Sequence, residues 1–312
     1  MSIILQRTQV AAQLEATEFS KATLAAADAF LAFNPAFTPS VEMFPRDPVR
    51  ESLSKYPSVS GKRSAKIAFD VELIGSGTAG TAPFWGKLMK ACGFSEVITG
   101  GVSVAYTPSS DNQGNSKSVT VGLYMDSMVK RIWGARGTVK LTMEVGKPGI
   151  LHFEFTGCDF EAADVALLSS VTYSTLIPPA FLSGSLTLDS YAALCSKVEL
   201  DVQNVLALKE DISSASGNKG CVITGRNPKG SMDPELCNVA TYDFYTKWKT
   251  PGTFGSLSLA ATGSAGNIAT VTCPKVRYAA IADQDRNGLR ALGLDFEPTL
   301  NTGDDEIAIT MT

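Results

Sequence analysis

The sequence has a single histidine, no CxxC pair and no long apolar run. A metal site needs several imidazole, thiolate or carboxylate ligands close together, and one histidine with scattered cysteines offers no such set. We therefore interpret His152, at an alternating position in the string ILHFEFT, as a histidine on the face of a sheet. The cysteines that we expect to be free, buried thiols are Cys92, Cys158, Cys195, Cys221, Cys237 and Cys273.

Charged residues are also scarce. They make up 19% of the 312 residues, and the net charge is -4. This balance disfavours nucleic-acid binding through a basic surface, because such binding needs clustered Lys and Arg. No run approaches the ~20 apolar residues that span a bilayer, and the first residues, MSIILQRTQ, lack the basic region and apolar core of a signal peptide. We expect no membrane partner and synthesis in a cytoplasm.

The sequence lacks a catalytic constellation. Cys92 falls on the apolar side of a predicted helix, where a thiol is inert, and nothing in the sequence brings it to His152. The acidic string DDE at residues 304–306 lacks the spacing of an EF-hand loop, and we interpret it as a charged cap ahead of the last strand. We expect no catalytic residue, no cofactor and no bound metal, and a role based on interactions.

Residues 66–94, KIAFDVELIGSGTAGTAPFWGKLMKACGF, are predicted to form a strand, a glycine turn and a helix. Apolar residues alternate with Asp70 and Glu72, which indicates a strand with one exposed face. The glycines spell GxGxxG, the outline of a dinucleotide-binding fingerprint. We reject that interpretation, because its first strand should be apolar on both faces and no alternation of strands and helices follows. Gly93 is expected to end the helix.

The rest of the first half predicts one helix, an arm and two hairpins. An amphipathic helix is predicted near residues 23–32. Residues 34–61 contain five prolines and predict an extended arm without regular structure, which lies on a neighbour. Residues 102–108 and 118–124 predict a hairpin around a polar loop, and residues 137–145 and 150–156 predict a second hairpin around GKPG.

The second half repeats this order. Strands are predicted at 197–208 and 221–224, then a helix near 239–249, then strands at 255–260, 268–278, 289–296 and 306–311. We therefore predict a mainly β protein of two tandem sandwich or barrel domains, each with a flanking helix, related by duplication. The first domain covers residues 1–168 with the arm, a Ser/Thr-rich linker covers 169–190, and the second domain covers 191–312.

Several strings carry a resemblance to a known family. They are VELIGSGTAGTAP, LMKACGF, VAYTPSS, GARGTVKL and FEFTG in the first half, and GNIATVTCPKVRY and GDDEIAIT in the second. In this order, they resemble the tail tube (major tail) proteins of long-tailed, non-contractile bacteriophages, the siphovirus type. The resemblance runs over nearly the whole chain.

The resemblance implies a structural virion protein with a β-sandwich fold, which assembles in the host cytoplasm into stacked rings. The rings would form a hollow tube for DNA ejection. The implied partners are other copies of the chain, a tape-measure protein, tail terminator and distal tail or baseplate proteins, and DNA in transient, non-specific passage. Because family rings contain six tube domains and this chain carries two, we predict a ring of three chains, with a hexamer as the alternative.

Candidate surfaces follow from strand alternation and loop composition. Asp70, Glu72 and Glu144 alternate with core residues, so they are candidates for the inner wall of the tube, where carboxylates would repel DNA. The polar loop of the first predicted hairpin has too few apolar residues to pack on its own domain, and is a candidate contact between subunits. Its candidate residues are Ser110, Asp111, Asn112, Gln113, Gly114 and Asn115.

A β-sandwich that binds carbohydrate, or a hydrolase-like module, is the alternative from another class. Such a protein would present exposed aromatic residues along a groove. Trp85, Trp133 and Trp248 are far apart in sequence, and two of them fall on predicted helices, where core packing is the usual role.

Overall fold

The structure is a computed structural model that describes Ile4, residues 6–111 and residues 117–312. Strands dominate it and the two α-helices have six residues each, which confirms the mainly β prediction. The first strands are β1 Thr8–Leu14, β2 Ala29–Phe30, β3 Phe33–Phe44, β4 Val59–Glu72, β5 Phe94–Thr99, β6 Ser103–Pro108, β7 Val119–Met125, β8 Met128–Glu144, β9 Ile150–Gly157 and β10 Asp159–Ala163. The remaining strands are β11 Ser185–Leu188, β12 Tyr191–Ala192, β13 Lys197–Asp201, β14 Asn204–Glu210, β15 Asn218–Arg226, β16 Lys229–Met232, β17 Gly255–Ala260, β18 Ala269–Arg286, β19 Leu289–Pro298 and β20 Ala308–Met311. Helix α1 is Gly86–Ala91 and α2 is Phe244–Lys249.

One large antiparallel sheet organises the chain. Its strands follow the order β3, β4, β9, β8, β13, β16, β19 and β18, and each neighbouring pair is antiparallel. Alternation decides its faces, as β4 shows: Ile67, Phe69 and Val71 are fully buried, whereas Asp70 and Glu72 point to the other face. The buried face joins a single apolar cluster that contains residues of both halves of the chain.

Two long strands change partners midway. The first part of β8 pairs with β7 and β10, and its second part pairs with β9 and β13. Gly134, at a φ of 57°, lies where this change occurs. Similarly, the first part of β18 pairs with β17 and β20, and its second part pairs with β19.

These pairings occur twice along the chain. In the first unit, β1 to β4 and β7 to β10, the pairs are β1–β2, β1–β7, β3–β4, β4–β9, β7–β8, β8–β9 and β8–β10. In the second unit, β11 to β13 and β16 to β20, the pairs are β11–β12, β11–β17, β13–β16, β16–β19, β17–β18, β18–β19 and β18–β20. Each pair of the first unit therefore has a counterpart in the second. The domain boundaries remain predictions, and β11 lies inside the predicted linker.

Backbone ladders join the two units directly. Five residues of β13 pair with β8, from Lys197 opposite Glu144 to Asp201 opposite Lys140. Strand β20 pairs with β6, which is an insertion in the first unit. The hairpin β14–β15, an insertion in the second unit, packs against β8. The units thus share sheets as well as an apolar core.

The prediction of a helix near residues 23–32 is wrong. The structure has only a 3-10 turn at Ala26–Asp28, followed by β2. Asp28 accepts a hydrogen bond from the backbone N–H of Ala25 at 2.9 Å and pairs with Lys87 at 3.3 Å, while Phe30 packs against Phe69 and Phe84. Tertiary contacts therefore override the helical spacing in this alanine-rich segment.

The arm is more regular than predicted. Residues 33–44 form β3, although Pro35 and Pro39 lie inside it. The N–H of Leu73 donates to Gly149 O, so odd residues of β4 bond to β9 and even residues bond to β3. Residues 35, 37 and 39 of β3 consequently face the edge that has no partner strand in the described structure, where the missing N–H of a proline costs the sheet nothing. Residues 45–58 contain no strand, as predicted.

The first predicted hairpin is also wrong, whereas the second is confirmed. Strand β6 pairs with β5 and β20, and β7 pairs with β1 and β8. The prediction overlooked β5, which begins after Gly93, the glycine at φ 82° that follows α1. Strands β8 and β9 form the hairpin predicted around GKPG.

Candidate functional site

The solvent side of the large sheet carries rows of polar residues, and we call this side the polar face. One row crosses the strands as Asp70, His152, Lys140, Asp201 and Lys229, each directly opposite the next. Opposite charges on neighbouring strands attract each other across the ladder. The row continues to the pair Glu297 and Arg277 on β19 and β18. It therefore spans both units.

Carboxylates outnumber cations on the polar face. The acidic residues are Glu42, Asp70, Glu72, Glu144, Glu154, Glu199, Asp201, Asp295 and Glu297. The cations are Lys62, Lys66, Lys140, Lys197, Lys229, Arg277 and Arg286. Nine carboxylates against seven cations leave only a small acidic excess. The face is therefore acidic but mixed.

The three predicted lumen residues all lie on the polar face. Asp70 is bound by His152 at 2.6 Å and by the Asn34 amide at 2.9 Å, and Glu144 pairs with Lys147 at 2.8 Å. Glu72 makes no ion pair with any residue that the structure describes. The structure thus places the three carboxylates on one surface, and the role of that surface remains a prediction.

Lys140 and Lys197 hold a further carboxylate that the sequence prediction missed. Glu199 lies 2.9 Å from Lys140 Nζ and 2.6 Å from Lys197 Nζ. Hydrogen bonds from both lysines lower the pKa of Glu199 despite its partial burial. The alternation KVELD in β13 was a signal for this residue, because it places Lys197, Glu199 and Asp201 on one face.

The predicted contact loop begins at a partly buried ionic network. Ser110 donates from its N–H and its hydroxyl to Asp304, at 2.9 and 2.6 Å. Arg226 of β15 binds Asp304 at 2.7 Å, Glu306 at 2.9 Å and the carbonyl of Ser109 at 3.0 Å. Burial opposes ionisation of Asp304, but the bonds from Ser110 and Arg226 lower its pKa. The acidic string thus fastens the loop to the second unit.

Two of the six loop candidates, Ser110 and Asp111, are in the described part of the chain. The other four, Asn112, Gln113, Gly114 and Asn115, lie outside the described residues. Contact of this loop with other subunits remains a prediction.

The glycines of the GxGxxG string serve backbone packing. A Cβ on Gly75 would overlap the carbonyl of Gly266, and one on Gly80 would overlap the backbone at residues 99–101. The N–H of Gly75 donates to the Asn267 side chain at 2.8 Å, and the N–H of Gly77 donates to Gly266 O at 3.1 Å. The glycine turn therefore allows the first unit to approach a turn of the second unit closely.

Thiols and imidazole form no reactive pair in the described structure. Cys92 is fully buried and burial raises its pKa well above the usual value, whereas His152 is half exposed on the polar face, as predicted. All six cysteines are free, and four of them are buried. Among the described residues, no three His, Cys, Asp or Glu side chains are grouped to hold a metal ion. No helix in the described part of the chain is long and apolar enough to cross a membrane.

Large apolar side chains are exposed along the arm. They are Val41, Met43, Phe44, Val49, Leu53, Tyr56 and Val59. The three tryptophans do not form a common platform: Trp85 is fully buried beside α1, Trp133 lies in β8 and Trp248 lies on α2 with 38% of its surface exposed. The arm is therefore an extended apolar surface of the kind that mediates protein contacts.

No protein-family model matches this sequence, and no curated protein is significantly similar to it.

Proposed function

We propose that this protein is a structural subunit that assembles into stacked rings forming a hollow tube, the tail tube of a long-tailed bacteriophage, through which genomic DNA is ejected. The observation that carries the proposal is the repeated unit. Its first copy is joined to its second through the β8–β13 ladder, and in the described part of the chain the resulting sheet ends in two unpaired edges, at β3 and at residues 277–286 of β18.

Unpaired edges at opposite ends of a sheet favour association of copies in a ring. An edge strand offers free N–H and C=O groups that another chain can pair with. Because the two edges belong to different units, contact between them is heterologous, and repeated heterologous contacts form a ring when the rotation between copies closes. With two units per chain, three chains supply six units around the ring. A ring of six chains, with the second unit on the outside, is the alternative.

The polar face supports the role of a conduit. Its small acidic excess repels phosphate groups, while its cations are each placed opposite or beside carboxylates. A wall with unpaired Lys and Arg would bind DNA at about one phosphate per cation, which would retain the DNA. A wall of paired charges with an acidic excess lets it slide. We propose that this face lines the tube.

The proposed partners follow from this role. The chain would bind other copies of itself within and between rings, a tape-measure protein inside the growing tube, and terminator and distal tail or baseplate proteins at the two ends. The proposal requires no cofactor and no catalysis, and it places the protein in the virion after assembly in the host cytoplasm.

Negative-stain electron microscopy of the purified, concentrated chain tests the proposal. Rings or hollow tubes are the expected particles. A protein that remains monomeric at all concentrations, and that is retained on a panel of immobilised glycans, would instead be a carbohydrate-binding β-sandwich.

A further inference from the structure

The hairpin β14–β15 covers a surface of the first unit. Asn204 at its start donates from its side chain to Cys92 O at 2.7 Å, at the end of α1, and to Gly137 O of β8 at 2.9 Å. Further along, the N–H of Arg63 donates to Ser216 O, and Asn218 donates to Arg63 O at 3.0 Å. Together with β13, the hairpin packs against β8 and reaches the end of α1.

The matching surface of the second unit is uncovered. In β8, Arg136, Val139, Leu141 and Met143 are all buried. In β18, residues 279, 280 and 282–285 are exposed. The end of α1 is buried at Cys92, whereas Thr250, at the same place after α2, is exposed, and Trp248 is 38% exposed. We call Trp248, Thr250 and residues 279–285 the α2–β18 surface.

The arm is the counterpart of the covering hairpin. In the second unit, β14–β15 lies between β13 and β16, and in the first unit residues 45–58 lie between β3 and β4, the matching strands. The hairpin rests on the neighbouring unit within the same chain. The arm instead projects with Val41, Met43 and Phe44 at least 42% exposed. The chain therefore contains both an arm that covers no surface of its own copy and an exposed α2–β18 surface that such an arm could cover.

The free edges are complementary in hydrogen bonding. Arg286 and Leu289 flank the two-residue turn of the β18–β19 hairpin and bond to each other, so Ile281, Asp283 and Asp285 direct their N–H and C=O groups to the free edge. The free edge of β3 offers the carbonyls of residues 35, 37 and 39 but, at its two prolines, no N–H. If two β3 edges were paired, carbonyl groups would face residues without an N–H at the prolines. The N–H groups of β18 can instead donate to the carbonyls of β3.

We propose that β3 and the arm of one copy dock on the α2–β18 surface of a second copy, with β3 extending the large sheet at β18 as β13 does at β8. This inference rests on the proposed assembly and specifies its interface. The contact of the arm buries its exposed apolar residues near Trp248, and the proline pattern makes the contact run from the first unit of one copy to the second unit of the next.

The internal ladder also fixes the register. The row Phe37, Ile67 and Phe155 of the first unit matches the row Leu200, Gly230 and Phe296 of the second. In the internal ladder, Asp201 lies opposite Lys140. Asp201 corresponds to Thr38 of the first unit. Lys140 corresponds to Ala282, once the extra residue of the bulge between Tyr278 and Ala280 is counted. The contact between copies therefore places Thr38 of one copy opposite Ala282 of the next. These residues form a non-hydrogen-bonded pair, with Cα atoms about 4.5 Å apart, which suits a disulfide.

Disulfide trapping tests this interface on the full chain. Thr38→Cys is combined in one chain with Ala280→Cys, Ala282→Cys or Gln284→Cys, and the assembled proteins are oxidised with diamide and separated under denaturing, non-reducing conditions. The expected result is a ladder that is strongest for the Ala282 variant and ends at three chains. Each single variant controls for the native thiols. A mixture of T38C and A282C chains should stop at two, because each chain then offers only one of the two thiols.

The outcomes separate the interface from the function. Rings or tubes without cross-links in any of the three double variants would overturn the interface while leaving the proposed function intact. Cross-linked dimers without rings or tubes would support the interface and count against the tube. Tryptophan fluorescence gives a second measure: assembly should shift the emission of the parent to the blue, and Trp248→Phe should remove most of the shift. An unchanged shift in that variant would contradict docking beside α2.

Discussion

Replacing Arg226 by methionine should destabilise the whole subunit, because this side chain joins three separate segments. It binds Glu306 and Asp304 ahead of β20 and the carbonyl of Ser109 after β6. Its side chain is 15% exposed and that of Glu306 is 11% exposed, so removal of the guanidinium leaves Glu306 charged and poorly hydrated. Methionine keeps much of the volume and removes the charge.

The size of the effect follows from these exposures. Breaking a buried ion pair by removing one partner costs roughly 3–5 kcal/mol. Asp304 is 40% exposed and regains water, so we expect the lower end, about 3 kcal/mol. With a urea m-value of about 3 kcal/mol/M for a chain of this size, the unfolding midpoint should fall by about 1 M. Arg226→Lys keeps the charge without the planar fork and should lose about half as much.

Urea unfolding followed by circular dichroism measures this shift. Arg7→Met is the matched control, because Arg7 makes one ion pair, with Asp126 at 2.8 Å, and its side chain is 58% exposed. Such a pair contributes less than about 1 kcal/mol. If the midpoints of the Arg226 and Arg7 variants fell equally, the network would have no special role in holding β15 to β6 and β20.

Three further predictions concern the core. Gly75→Ala should lower the free energy of unfolding by about 1–3 kcal/mol, because the new Cβ would overlap the backbone of Gly266. Gly100→Ala should change it very little, because no atom lies within 4 Å of its Cβ. Urea unfolding of both variants measures the difference. Burial raises the pKa of Glu15 in the folded state, so the unfolded chain loses this proton first and the stability of the parent falls as pH rises through the folded pKa. The stability of Glu15→Gln relative to the parent should therefore increase between pH 4 and pH 7. A stability difference that stays constant over this range would refute the assignment. Burial and a hydrogen bond to Asp233 raise the pKa of Cys195 to about 12. At pH 8, a thiol reagent should therefore rapidly modify only Cys237 in the native protein, but all six cysteines in denaturant. Fast reaction of two thiols in the native protein would contradict this prediction.

Local patterns predicted much of the secondary structure. The strand predicted at 255–260 coincides with β17, and the alternation in β4 and β9 gave their buried faces correctly. These elements depend on period and turn residues that are present in the sequence itself. The short helices were predicted near their observed positions for the same reason, although α2 begins later than expected, at Phe244.

Pairing partners were harder to predict, because they depend on residues far apart in the chain. Strand β6 pairs with β20 about 200 residues away, and no turn signal records this choice. Pro35 and Pro39 argued against a strand, and only the sheet shows that their side of β3 is free. The same reason limited the prediction of the candidate site. Alternation predicted Asp70, Glu72 and Glu144, whereas the ion pairs of Lys140 and Arg226 depend on register and packing.

The mass of a single ring tests the central claim most directly. Tubes assembled from the full chain can be sheared and their rings analysed by native mass spectrometry. The account predicts a ring of three chains, three times the 33.0 kDa of one chain, in which six units surround the lumen. A ring of six chains would contradict the alternation of the two units, and a chain that forms neither rings nor tubes would contradict the proposed function itself.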